Sequence, residues 1–385
     1  MRFPNARKVL TDVHKWTGLA TFLLLLIVAA TGCVLTFRDP LDALLNPDLF
    51  RASASPQPLP VAALIDAAQR QRPDAQVVQA PAKTQTGRSV VLETAPRRRG
   101  AVLAYNQLFV DPTDGRVVGE RMSTAGWDRR RLLQAIYDIH VRLMAGAPGR
   151  IVLGLVSGAW LISNFIGAYL TMPRGRPFFR RWRPLWLVRW RAKPPRLMLD
   201  LHRASGLWFF LGVTALAATG FLLNFYAEIS EPLAHLLSPP RFIEPAARSS
   251  GTAAPNVGYA MAVQIAQRHM AQDDRALRLT TAGFDPAQNL YRIGFTGSGR
   301  LDFQGMGPVY DYVDAETGRV TAQDDPYRDG AGRAFLRALY TVHSGRFLGW
   351  PTRLAIFASG LATVTMAASG VYVWLRKRRA AKLAS

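Results

Sequence analysis

The sequence predicts an α-helical membrane protein with four transmembrane helices in two tandem repeats, each repeat with an inserted small α+β domain. Three observations predict it. Four apolar blocks, about Thr17 to Phe37, Ile151 to Met172, Leu207 to Tyr226 and Arg353 to Leu375, each approach the roughly 20 residues a helix needs to cross about 30 Å of hydrocarbon. Lys and Arg gather at the ends of those blocks. The first half of the chain also aligns on the second.

Composition excludes some alternatives. The chain has 385 residues, 49% of them hydrophobic, and a formal net charge of +22. That charge sits mainly in helix flanks, where topology and anionic lipid account for it, so no nucleic acid is expected as a partner. A single cysteine rules out an intramolecular disulfide. Cys33 follows "AATG" as a lipidated cysteine might, yet "AATGF" recurs at Ala217 to Phe221, deep in the chain. The small-residue run is therefore read as helix packing and Cys33 as a small apolar residue.

The elements follow in order. Residues 10–37 form the first membrane helix, led by Arg7, Lys8 and Lys15, and 38–130 a small domain. Residues 131–172 lead into the second helix, and 173–199 form a loop rich in Arg. Residues 200–227 are the third helix, 228–333 a second small domain, 334–375 the lead-in and fourth helix, and 376–385 a basic tail. Because Lys and Arg near helix ends stay preferentially in the cytoplasm, both termini and the loop are expected inside and both domains outside. In the first domain, "VAALIDAAQRQRPDA" has helical periodicity, "SVVLET" alternates like a strand and "NQLFVDPTDGRVVGE" reads as a hairpin. The second offers "YAMAVQIAQRHM", "NLYRIGF" and "GPVYDYVDAETGRVTAQ" in the same order. The stretches "RASASPQPLP" and "EPAARSSGTAAP" read as linkers.

The repeat is the organising fact. "DVHKWTGLATFLLLLIVAATG", 12–32, aligns without gaps on "DLHRASGLWFFLGVTALAATG", 200–220. "LLQAIYDIHVRLMAGAPGR", 132–150, aligns on "FLRALYTVHSGRFLGWPTR", 335–353, and Gly167 and Tyr169 then fall on Gly370 and Tyr372. Four of the six histidines are repeat-equivalent: His14 with His202, and His140 with His343. If the copies pack about a pseudo-two-fold axis, His14 faces His202 near the inner surface and His140 faces His343 near the outer one.

Neutral imidazole is a strong iron ligand, and two imidazoles from facing helices suit the axial positions of a haem in a bundle core. Haem between facing imidazoles is the expected cofactor, with His14, His202, His140 and His343 as candidate iron ligands. Gly18 and Gly206, four residues after His14 and His202, are expected to leave room for the macrocycle. Lys15 and Arg203 at the inner pair, and Arg142, Arg150, Arg346 and Arg353 at the outer, are candidate partners for its carboxylates. Tyr137 and Tyr340, three residues before their histidines, are candidate hydrogen-bond partners. Plainer readings stand beside these: the glycines as packing contacts and the tyrosines as interfacial aromatics. A zinc or copper site is disfavoured because no Cys, Glu or second His stands at i+3 or i+4. His235 and His269 have no counterpart and are read as solvated or satisfied surface histidines.

The H-x-x-x-G with A-T-G in the first and third helices resembles the PepSY-associated transmembrane family, the iron-regulated membrane protein or siderophore reductase type. So do the A-[IL]-Y-x-[IV]-H approach to the second and fourth helices, and the "FVDPTDGRV" and "YVDAETGRV" hairpins. The likeness covers nearly the whole chain. It implies a multi-pass protein of the bacterial inner membrane with periplasmic PepSY-like domains. It further implies two bis-histidine b haems that pass electrons outward to reduce a ferric siderophore or other ferric chelate. On that reading the protein is a ferric-chelate reductase, with no catalytic residue assigned. The chain shows no Gly-rich nucleotide fingerprint after a strand, so a separate donor is expected, either a membrane quinol or a cytoplasmic flavoprotein. Trp160, Phe165, Trp208 and Phe209 are candidate intervening groups. The alternative is a membrane-anchored PepSY binding or regulatory protein, with a peptidase or peptide partner and no redox activity. A transporter ranks third, since no broken-helix pair is legible near the midplane.

Overall fold

The computed structural model describes residues 6–54, 57–98, 100–238, 255–299 and 304–384. Most of the expected linker 244–255 lies outside them. Two compact units emerge. One comprises Met1–Phe37, Ile136–Pro232 and Leu339–Ser385; the other comprises Arg38–Ala135 and Leu233–Ala338.

Among the described residues, the helical unit has three helices long and apolar enough to cross a membrane: Ala6–Leu35, Gly146–Thr171 and Trp350–Ala384. The last runs on through the basic tail instead of ending near Leu375. The third apolar block is not one straight helix. It is a pair, Pro194–Trp208 and Phe210–Asn224, bent by 73° at Phe209, so the expectation of a continuous helix without a break is corrected here. Glycines flank the bend, and the second lies tight against the last span: a Cβ on Gly212 would stand 2.1 Å from Ser359 Oγ. Thr21, at the matching place in the first copy, is buried and donates to the Thr17 carbonyl at 2.9 Å, and that helix runs on unbroken.

Two arginines tie the copies together. Arg353 donates from Nη2 to the Thr36 carbonyl at 2.7 Å, just past the end of the first span. Arg150, its repeat equivalent, donates to the Asn224 carbonyl at the end of Phe210–Asn224 and pairs with Glu228 at 2.6 Å. Thr36 and Asn224 occupy the same place in the two copies. A cation there satisfies a carbonyl the helix leaves open and complements the negative end of its dipole.

The second unit is an eight-stranded antiparallel sheet ordered β4-β3-β2-β1-β5-β6-β7-β8. The strands are β1 Ala75–Pro81, β2 Val90–Pro96, β3 Gln107–Val110, β4 Val117–Arg121, β5 Arg278–Asp285, β6 Leu290–Thr296, β7 Val309–Asp314 and β8 Val320–Asp324. Each inserted segment supplies a four-stranded meander, and the meanders join through β1 and β5, with Ala80 opposite Ala282. The hairpins expected at Asp-Gly and Thr-Gly are β3–β4 and β7–β8, turning at Gly115 (φ 76°) and Gly318 (φ 70°). Buried Asp111 and Asp314 each accept backbone N–H groups of their own turn. Helices Val61–Gln71 and Tyr259–Met270 contribute to one core with both meanders, so the two segments share a single hydrophobic interior.

Candidate functional site: two imidazole pairs

The helical unit brings the four repeat-equivalent histidines together in two pairs. The His14 and His202 ring centres lie 6.2 Å apart with planes at 75°; those of His140 and His343 lie 6.1 Å apart with planes at 55°. His14 comes from the first span and His202 from Pro194–Trp208. His140 and His343 end or nearly end the short helices Leu132–Arg142 and Ala331–His343. Each pair takes one ring from each copy.

Every imidazole is anchored through Nδ1 to a helix of its own copy. His14 donates toward the Ser163 carbonyl (3.2 Å) and lies 2.8 Å from Ser163 Oγ. His202 donates to the Met366 carbonyl (2.9 Å), with Ser369 Oγ at 3.4 Å. His140 donates to the Val28 carbonyl (3.0 Å), with Thr31 Oγ1 at 3.2 Å. His343 lies 2.9 Å from Thr219 Oγ1. Acceptors at Nδ1 put the proton there and leave Nε2 with a lone pair, the tautomer that binds a metal through Nε2. None of the four Nε2 atoms makes a hydrogen bond among the described residues.

A glycine lies against each ring. A Cβ on Gly167 would come 3.0 Å from Cε1 of His14, and one on Gly370 3.2 Å from that of His202. On Gly32 it would come 2.9 Å from Cε1 of His140, and on Gly220 3.7 Å from that of His343. These four glycines, with Thr31 and Thr219, are the site residues that sequence reasoning missed. The gapless repeat alignment already carried the signal, since each glycine has its counterpart in it.

The glycines singled out from sequence sit differently. A Cβ on Gly18 meets nothing within 4 Å, so space is open beside it, whereas one on Gly206 would lie 3.1 Å from Met366 Sδ against the last span. Tyr137 and Tyr340 are 38% and 46% exposed, and Nδ1 of His140 and of His343 lies against Val28 and Thr31 and against Thr219 respectively. Arg150 and Arg353 are turned to helix-end carbonyls, as described above, and Arg142 pairs with Asp138. Lys15 pairs with Asp12 at 2.7 Å. Arg203, half-buried and next to His202, makes no hydrogen bond or close ion pair among the described residues. Phe165 and Trp208 face outward instead of lying between the pairs.

His235 is exposed. His269 donates from Nδ1 to Asp311 Oδ2 at 2.9 Å; burial pushes that carboxyl up, opposed by this bond and by Gln323 at 2.9 Å. It is a satisfied histidine of the sheet unit.

Geometry limits what the pairs can hold. Two imidazoles on opposite sides of one metal, each at about 2.0 Å with its ring centre about 1.1 Å further out, stand about 6.2 Å apart. Both observed separations match that figure. Each pair offers two nitrogen donors, and among the described residues no three His, Cys, Asp or Glu side chains cluster to complete a shell. A metal held here has to bring its remaining ligands with it, as iron in a planar macrocycle does.

Apolar helices long enough to span a membrane, an eight-stranded antiparallel sheet and two imidazole pairs define a helical membrane-type protein. The chain belongs to the family described as the PepSY-associated TM region, which matches residues 11–377. No curated protein matches it significantly.

Proposed function

We propose that this chain is a four-span, two-repeat protein of the bacterial inner membrane that holds two b-type haems and passes electrons outward to a ferric chelate. A siderophore in the periplasm is the favoured acceptor. The observation that carries the reading is the pair geometry: two sets of rings at the spacing of a shared iron, every Nδ1 capped and no Nε2 hydrogen-bonded among the described residues. His14 and His202 hold one haem, and His140 and His343 the other. When bound, each haem supplies one-electron chemistry.

The remaining residues orient and insulate. Carbonyls of Val28, Ser163 and Met366 and the Thr219 hydroxyl accept from Nδ1 and so fix the tautomer and direction of the imidazoles. The four glycines let the rings lie flat against their helices. Arg203, which makes no hydrogen bond among the described residues, offers its guanidinium to a carboxylate. Along the first span, His14 and the Gly32 notch for His140 are 18 residues apart, about 27 Å of helix rise and close to the thickness of the hydrocarbon core. The two pairs therefore lie toward opposite membrane faces. Ferric iron is held more tightly than ferrous iron by hard-oxygen chelators, so delivery of one electron loosens the metal without destroying the chelator. A quinol or a cytoplasmic flavoprotein is the donor on this reading.

The test is a reduced-minus-oxidised spectrum with a pyridine haemochrome assay on purified wild type, His14→Ala and His140→Ala. Two low-spin haems per wild-type chain, and one in each variant, are expected. Folded wild type that stays haem-free after expression with ample haem would overturn the proposal and turn attention to the sheet unit as a binding module.

A further inference from the structure

The four imidazoles are not held alike. Three of them have a backbone carbonyl at Nδ1: Ser163 for His14, Met366 for His202 and Val28 for His140. A backbone carbonyl stays whatever side chain stands there. Among the described residues His343 meets no carbonyl, and its Nδ1 meets one group, the Thr219 hydroxyl at 2.9 Å. That hydroxyl has one proton and commits it to the Ala215 carbonyl at 2.6 Å. It can therefore only accept from His343, which makes His343 the donor and leaves its Nε2 with the lone pair.

A second measurement explains the difference. A Cβ on Gly32 would sit 2.9 Å from Cε1 of His140, but one on Gly220 would sit 3.7 Å from that of His343. His343 stands further off its helix than His140. At the corresponding place in the first copy, Thr31 donates to Ile27 and Val28 and lies 3.2 Å from His140, whose ring already reaches the Val28 carbonyl. Thr31 is an auxiliary partner of His140, whereas Thr219 is the one partner of His343 Nδ1 among the described residues.

We infer that Thr219 is the positioning residue of the His140–His343 pair: its hydroxyl, the one partner of His343 Nδ1 among the described residues, sets the tautomer and direction of that ring, and so how strongly its Nε2 would bind a haem iron. The inference rests on the haem reading above and adds to it an inequality between two repeat-equivalent threonines. Without the hydroxyl, Nδ1–H of a largely buried ring has no acceptor. The ring then gains by rotating or by moving its proton to Nε2, either of which removes the lone pair from the metal.

The experiment uses the full chain in detergent, with Thr219→Val, Thr219→Ser and Thr31→Val compared by haem content, low-spin electron paramagnetic resonance and redox titration. Valine keeps the shape of threonine without its hydroxyl; serine keeps the hydroxyl. In Thr219→Val, one of the two low-spin signals is expected to be lost or to shift in g-value and midpoint potential, while the other stays. Thr219→Ser and Thr31→Val are expected to match wild type. If Thr219→Val does not fold, Thr219→Ala carries the same prediction with less bulk, and Thr219→Ser must still keep both signals. Two unchanged signals in Thr219→Val or Thr219→Ala, or an equal change in Thr31→Val, overturn the role of Thr219. Wild type without haem overturns the underlying reading instead, so the two failures are distinguishable.

Discussion

An imidazole that must lie against a neighbouring helix needs a position there with no side chain, and this chain supplies one to each of its four paired rings. At Gly32 an added Cβ would stand 2.9 Å from Cε1 of His140, closer than real Cβ contacts come, and at Gly167 3.0 Å from Cε1 of His14, tighter than nearly all of them. Gly32→Ala or Gly167→Ala should therefore displace the ring, at about 1–3 kcal/mol by the usual cost of overpacking. Gly18→Ala, which meets nothing within 4 Å, should stay within about 0.5 kcal/mol of wild type. Thermal unfolding of the three variants beside their absorption spectra checks both expectations; equal effects at Gly18 and Gly167 would sink the notch interpretation. The histidines were legible in the sequence because both copies keep them. Their glycine notches were not, although Gly32 and Gly220 were already aligned. The i+4 argument pointed to Gly18 and Gly206, but helical side chains lean toward the N-terminus, so a histidine does not cover the turn after it. The glycine it needs lies on another helix, and helix pairing is not written in spacing.

Among the elements, the helix ends carry the least expected features. The paired arginines looked like partners for an anionic cofactor, because sequence shows the charge and not the carbonyl waiting for it. Arg353 packs over Trp350, 4.8 Å from the ring centre, and caps Thr36. Arg353→Gln should cost about 1–3 kcal/mol, the range for a charge-assisted hydrogen bond to a group left unsatisfied. Arg150→Gln should cost less, since its ion pair with Glu228 is about half open to solvent and screened. Unfolding of both variants, followed by circular dichroism in one detergent, ranks them; a larger loss at Arg150 would contradict the capping argument. The bend at Phe209 was equally invisible. No proline marks it, and the close packing beside it, Gly212 against Ser359, involves a span more than 140 residues away in sequence. Even the turn after His140 departs from simple rules: Leu143 and Met144 are both left-handed, each at φ 55°.

At the scale of the whole molecule, the sequence repeat becomes a mirrored sheet. Its hairpins were legible because Asp-Gly and Thr-Gly turns announce themselves locally. The joint was not, because β1 and β5 come from segments about two hundred residues apart, and an edge pairing carries no local signal. That joint is specific in its chemistry. Thr281 Oγ1 donates to the Ala80 carbonyl at 2.9 Å, and the Tyr259 hydroxyl reaches the Val77 carbonyl while accepting from Gln76 Nε2 at 3.1 Å. At Gly283 a Cβ would meet the Val78 carbonyl oxygen at 2.4 Å, so only glycine allows the strands to approach there. With one core beneath both meanders, the unit should unfold as a whole. Ile293, fully buried in β6 of the second meander, tests this. Ile293→Ala should remove about 2–5 kcal/mol through the cavity it leaves. Hydrogen exchange should then quicken in β1 and β2 of the first meander as much as in β5 and β6. Faster exchange confined to β5–β8 would mean two independent domains that merely touch, and the shared sheet would lose its claim to be one folding unit.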